Sequence, residues 1–524
     1  MAHILQSRKI PSFLASNAVA LGAGSLYMYS LYAPQLIEKC HIPSSEASNL
    51  AFYLSFGSSL LGCVAGQIVD RSPNLSCLIG AICIGSAYYI LQVIYYKEKA
   101  SSSLIAFALS LLGYGAVSGY YAALKCCNVN FANNRGTAVA FPVSMYALSG
   151  MLFAAICTTF FKDDLKIMFR FMGIICPFLL ILGFLFMKLE PVPFDVRPTI
   201  SPIRTSNAAQ NSHLRASSAS TLGVSSNNYE DINSATLLRG SKKNEEDGNE
   251  NAVEQTIDGN FGLNFEDQNS KSILEGLKSY EFIGFFIVLN ILQGMGQMYI
   301  YSVGTITQTQ FAVLEESDVI LISDKIKHVQ SVQVSMISLL SFFGRLTAGP
   351  LSDIFVKLFN SQRMWNVVIS CIIMFVACLK LIYEDPKQLQ AASHDMNSFI
   401  HLLSFHLSFT SSLFGYAFGM MFGTFPVIIA DSFGTKNYSM FWALITMGGL
   451  LTVRLYTSML SKNISSNTLL NDTVCKKGEL CYDSTFWYMS ISALIAGVVS
   501  ILLIIKKYVD SKRTSNKYGY ISNS

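Results

Sequence analysis

Twelve separate runs of about twenty apolar residues recur along the chain, and no other feature restricts its fold as much. A helix needs roughly 20 apolar residues to cross about 30 Å of hydrocarbon. Six runs precede residue 190: Phe13 to Leu36, Asn49 to Val69, Leu75 to Tyr96, Ser103 to Leu124, Thr137 to Phe161 and Ile167 to Phe186. Six follow residue 278: Phe282 to Val303, Val332 to Leu351, Met364 to Tyr383, Ile400 to Ile429, Ser439 to Leu460 and Phe486 to Ile505. In lipid only a helix satisfies its own backbone groups locally, and the alternating ten-residue segments of a barrel are absent. The expected fold is an all-α polytopic membrane protein with twelve transmembrane helices in two six-helix halves. Composition agrees: 13% of the residues are charged, whereas a soluble domain carries about 25%. The net charge of +4 with no basic stripe gives nucleic acid no footprint. The first run is followed by many others, so it reads as a spanning helix and not as a signal peptide. The tenth contains Gly415, Gly419, Gly423 and Pro426 and is long enough to bend or to leave the bilayer.

These runs divide the chain into a first half (1–189), a linker (190–278), a second half (279–506) and a tail (507–524). The linker is rich in Ser, Asn, Glu and Asp, too polar to bury a core, and is expected to be disordered and cytoplasmic. Twelve spans place both termini and the linker on one side. Outside the linker, Lys and Arg divide almost evenly between the two sides, so the positive-inside rule decides little. The last outer loop is more telling. It carries the glycosylation sequons of Asn463 and Asn471 beside Cys475 and Cys481, which fits an oxidising lumen or exterior and a disulfide between the two cysteines.

Two inner loops repeat a pattern. Gly66 and Asp70, followed by Arg71, end the second helix; Gly349 and Asp353 end the eighth. Both are Gly-x3-Asp at matched positions of the two halves, an internal repeat typical of transporter architecture. Glycine lets helices approach closely, and an Asp beside a helix N-terminus gains from the dipole and the orphan N–H groups. Arg345, Gly349 and Asp353 recur every four residues and share a helix face. Gly66, Asp70, Arg71, Arg345, Gly349 and Asp353 are therefore the expected gating set.

With those loops the chain resembles the major facilitator superfamily. Ser25 to Tyr32, Asn134-Arg-Gly136, Phe343 to Asp353 and Phe418 to Gly434 are similar to its nodulin-like branch and to fungal monocarboxylate transporter homologues. The cysteine-bearing outer loop matches the fungal relatives, and Ser72-Pro-Asn departs from the basic continuation usual after the first loop. The resemblance implies alternating access around a central site, and the fungal relatives imply the vacuolar membrane, with the plasma membrane as the alternative.

Ionisable groups inside a membrane are functional candidates by default. Arg454, in the eleventh helix, is suited to hold a carboxylate bidentately. His406, in the tenth, is suited to titrate. Asn290 and Gln293 in the seventh offer amides, and Tyr29 in the first an aromatic wall; all have interhelical packing as the plainer alternative. No Asp or Glu lies well inside a run, which disfavours a carboxylate proton relay. No metal-binding or catalytic motif and no cofactor loop is present, so an enzyme is not expected. The expected partners are a small solute, such as an organic anion, and the bilayer, with the protein a monomer. A non-transporting solute sensor of the same fold is the rival reading.

Overall fold

The computed structural model describes residues 2–29, 44–98, 101–161, 164–190, 272–312, 323–359, 361–384, 386–392, 395–468 and 475–521, with isolated positions 32–33, 36, 39–40 and 314. Of the linker expected to be disordered, residues 191–271 lie outside the described residues, as does the acceptor Asn471; its last residues instead form a short helix, Ile273–Lys278, whose start is closed by a capping box between Ser272 and Glu275. Among the described residues every element is helical.

The first half comprises α1 (Ala2–Ala23, continued by a 3-10 turn Gly24–Met28), α2a (Ser44–Ser59) and α2b (Gly62–Arg71), α3 (Pro73–Lys97), α4 (Ser102–Asn130), α5 (Arg135–Phe161) and α6 (Leu165–Phe186). The second comprises α7 (Tyr280–Phe311), α8 (Ser323–Lys357), α9 (Met364–Tyr383), α10 (Met396–Phe433), α11a (Tyr438–Met447) and α11b (Gly449–Asn467), and α12 (Asp483–Ile521). Eleven described spans are long and apolar enough to cross a membrane. The expected first run falls on α1 and its 3-10 turn, and part of it lies outside the described residues. The tail residues 507–521 continue α12 as helix.

Local chemistry sets the ends. Ser72 caps α3, its hydroxyl accepting from the Leu75 N–H at 3.4 Å, with Pro73 in the first helical turn. The unusual Ser72-Pro73 sequence after the first loop thus starts the third helix. Ser279 caps α7 in the same way. At 38 residues, α10 reaches about 57 Å at 1.5 Å per residue, well beyond the hydrocarbon. Its Gly415, Gly419 and Gly423 lie against the α8 backbone at Ile337, Ser341 and Arg345, two four-residue ladders in register. Removing side chains on α10 is what brings the helices so close.

The outward surface is apolar. On α12, Trp487, Ile491, Leu494, Val498 and Leu502 are all exposed at helical spacing. Lipid is the solvent such a stripe fits, and the chain is a multi-pass integral membrane protein. The two halves meet where α8 and α10 pack on α5 and where α11a packs on α2b. α11b packs chiefly on α7 and α12 instead, so the eleventh helix changes partners at its break.

Candidate functional site

The Gly-x3-Asp loops lie at one end of the bundle, here termed the inner end, and each reaches into the other half. Asp70, from α2b, accepts the backbone N–H groups of Ser439 (3.0 Å) and Met440 (2.9 Å) at the start of α11a. Asp353, from α8, accepts the N–H of Thr137 (2.8 Å), its hydroxyl (2.7 Å) and the N–H of Gly136 (3.2 Å) at the start of α5. Each aspartate therefore satisfies orphan donors at the positive end of a helix in the opposite half. The glycines make room. A Cβ on Gly66 would stand 2.8 Å from the Ser439 carbonyl oxygen, and one on Gly349 would collide with the Gly136 carbonyl.

Further charges complete both clasps. Lys125 donates to the Asp70 carboxylate at 2.9 Å and to the Lys436 carbonyl oxygen at 3.1 Å. At the other clasp, Arg363 pairs with Asp353 at 2.5 Å and with Asp431 at 2.8 Å, and Arg135 pairs with Asp431 at 2.9 Å. Lys357 adds a bond to Asn134. Burial opposes the Arg363 charge, but the Asp431 and Asp353 carboxylates outweigh it and hold its pKa above the ordinary value. Arg135, Arg363, Thr137, Ser439 and Asp431 join the gate although they lie outside the repeated Gly-x3-Asp pattern. The available signal was charge in short inner loops, and Arg135 lies within a stretch already singled out. Arg71 is exposed and forms no ion pair among the described residues.

Arg345, Gly349 and Asp353 all face α5, as a four-residue spacing requires. Arg345 nevertheless lies about two turns deeper than Asp353 and does not join the clasp. It is 4% exposed, donates to the Val143 carbonyl oxygen of α5 at 3.3 Å, and leaves its Nε without an acceptor among the described residues. Its guanidinium lies 5.5 Å from the Phe422 ring centre and 5.9 Å from that of Phe418. Tyr120 and Tyr146 stack at 4.0 Å. No carboxylate pairs with Arg345 among the described residues.

The remaining candidates are not gathered around one point. Arg454 is exposed on the α11b face shared with Leu451 and Leu455. His406 faces α9, its Nδ1 3.1 Å from Lys380 Nζ and 3.6 Å from Glu384. Asn290 donates to the Ile445 carbonyl oxygen (2.9 Å), and a Cβ on Gly449 would meet Gln293. These two amides thus abut the break between α11a and α11b, and each keeps a buried oxygen without a partner among the described residues. Tyr29 packs on Tyr32 within the first half. Asn463 lies in the last turns of α11b, not in a loop, with its Nδ2 buried. Cys475 and Cys481 form a disulfide. No group of metal-ligating side chains occurs among the described residues.

Two six-helix halves, clasped at one end through aspartates that cap helices of the opposite half, are the build of a multi-pass membrane transporter. The model of the Major Facilitator Superfamily matches residues 14–453. The chain belongs to that superfamily. It is 40% identical to the "Uncharacterized membrane protein YMR155W" of Saccharomyces cerevisiae over 97% of this chain and 96% of the relative. It is 23% identical to the "Probable transporter mch1" of Neurospora crassa, over 93% and 87%, and 24% identical to the "Probable transporter MCH1" of Gibberella zeae, over 95% and 89%. The crystal structure of the transporter FucP in the outward conformation has the same fold, with a TM-score of 0.52 and 12% identity over 93% of this chain and 98% of that one.

Proposed function

We propose that this protein is an alternating-access carrier of a small organic anion, with Arg345 as the anion site and the two aspartate clasps as the inner gate. The observation carrying this reading is the buried guanidinium of Arg345, which has no carboxylate partner among the described residues and an idle Nε at the seam between the halves. A buried charge without a counter-ion costs several kcal/mol, and an entering carboxylate would supply both charge and acceptors. The aromatic rings around it shape an apolar wall for the rest of the solute. Arg454, also a candidate from sequence, is exposed beside Leu451 and Leu455, and its setting resembles that of an interfacial side chain. The fungal relatives named as probable transporters support a transport role.

The test is uptake of labelled organic anions into proteoliposomes, comparing wild type with Arg345→Lys, Arg345→Ala and Arg454→Ala. One charge-assisted hydrogen bond is worth about 1.5–3 kcal/mol, so Arg345→Lys is expected to raise KM about tenfold or more. Arg345→Ala should abolish saturable uptake, and Arg454→Ala should leave most of it. Flux that survives Arg345→Ala would move the anion site elsewhere; binding without flux in wild type would favour a sensor. In this reading the carrier acts at the vacuolar membrane with its disulfide end in the lumen, and a fluorescent fusion found at the plasma membrane would reassign it.

A further inference from the structure

We propose that the solute held by Arg345 is an aryl carboxylate, its ring seated among aromatic side chains that both halves bring to the guanidinium. The proposal rests on the reading of Arg345 as the anion site and names the class of anion. The α8 face that carries Arg345 is shut on its inner side and open on its outer side. Gly349 and Asp353, inward of Arg345, are buried, whereas Ser338 and Ser331, one and two seven-residue steps outward, are exposed. Seven residues make close to two helical turns, so these serines share the face of Arg345. That face points to α5 of the first half, so the opening follows the seam. Arg345 is the floor of a cleft entered from the end opposite the clasps.

Rings stand around and above that floor. Phe422 and Phe418 of α10, at 5.5 and 5.9 Å from the guanidinium, meet edge to face at 4.9 Å, and Phe418 is one turn further out. On the first-half side Arg345 donates to the Val143 carbonyl oxygen, and Tyr146 follows almost one turn outward on α5. Tyr146 stacks on Tyr120 of α4 at 4.0 Å and meets Tyr27 edge-on at 5.4 Å. Tyr27, in the 3-10 turn that continues α1, is 42% exposed. Glycines reserve room for the rings: a Cβ on Gly296 of α7 would collide with the Phe418 ring, and one on Gly150 of α5 would stand 2.8 Å from the Tyr27 Cβ. The rings are thus held by their neighbours before any solute enters, which lowers the ordering cost of binding.

The clasps close the inner side, so a solute whose carboxylate meets Arg345 must place its body outward, among these rings. An alkyl body gains only the burial of its apolar area there. An aromatic body gains that burial and also edge-to-face and offset contacts with the ring walls. At similar apolar area, those contacts favour an aryl acid over an alkyl acid by about threefold to tenfold.

Isothermal titration of the purified full-length protein with phenylacetate and with cyclohexylacetate, acids with the same carbon skeleton and different rings, tests this directly. Wild type should bind phenylacetate about threefold to tenfold more tightly. Phe422→Leu and Tyr146→Leu, each of which keeps an apolar wall, should erase the preference, and Arg345→Ala should abolish binding of both acids. Equal affinity of wild type for the two acids overturns the aryl proposal without any variant having to fold; if Arg345→Ala still abolishes binding, the anion site itself stands. A preference that survives both ring substitutions takes the rings out of the site and overturns the proposal. Phenylacetate binding that survives Arg345→Ala overturns the anion site and the aryl proposal together. Binding of neither acid by wild type overturns the aryl proposal.

Discussion

Asp353 illustrates how one side chain can set a conformational equilibrium. It accepts three hydrogen bonds from the start of α5 and an ion pair from Arg363, all across or beside the seam. The three bonds to α5 cross the seam and exist only while the inner ends touch, so their free energy belongs to the closed state alone, whereas the Arg363 pair lies within the second half and persists when the ends part. Asn in its place keeps the shape but loses the charge, at roughly 1.5–3 kcal/mol. Asp353→Asn is therefore expected to shift the protein toward inner-open states and to lower flux without lowering membrane insertion. Spin labels on the inner ends of α5 and α8 should report a longer mean distance. An unchanged distance distribution would show that the carboxylate does not hold the gate. Asp70 has the equivalent geometry on α11a, so Asp70→Asn should act in the same direction.

At the scale of elements, packing without side chains explains where Arg345 sits. The glycine ladder of α10 meets the α8 backbone at Ile337, Ser341 and Arg345, which fixes the height and rotation of the arginine. Gly419→Val would drive a branched side chain into the Ser341 backbone. Overpacking of this kind costs typically 1–3 kcal/mol, so the unfolding midpoint in detergent should fall and anion uptake with it. A midpoint equal to wild type would mean that the ladder is not under compression. The second and eleventh spans share another feature: both are broken, and their inner pieces, α2b and α11a, have ten residues each and pack on one another. At the break Asn290 donates to the Ile445 carbonyl oxygen, a group left without a helical partner. Asn290→Ala should therefore lower stability by about 1–3 kcal/mol, read as a lower thermal midpoint. A variant that keeps the midpoint but loses solute affinity would instead place Asn290 in the binding site.

For the whole molecule, alternating access requires the clasped inner ends to separate and rejoin in each cycle. The exposed pair Asn134 and Lys357 offers a lock outside both aspartate clasps. With N134C and K357C joined by a short reducible cross-linker, flux should stop and return on reduction; flux that continued while cross-linked would rule out opening at this seam. The positions of the spans were legible in the sequence because hydrocarbon imposes them one segment at a time: each apolar run must cross about 30 Å as a helix whatever its neighbours do. Their lengths were not, since α8 and α10 run on beyond the hydrocarbon to 35 and 38 residues. The paired Gly-x3-Asp loops were legible because they are local patterns that repeat. The partners were not. That Asp353 caps α5, that Arg363 and Asp431 join it, that His406 meets Glu384, and that Arg345 has no carboxylate partner among the described residues all depend on contacts between residues far apart in the chain. Sequence determined which segments enter the membrane, because that is decided by the transfer of each segment into lipid. Tertiary structure alone decided which charges meet, because an ion pair depends on distances that only the packed helices set.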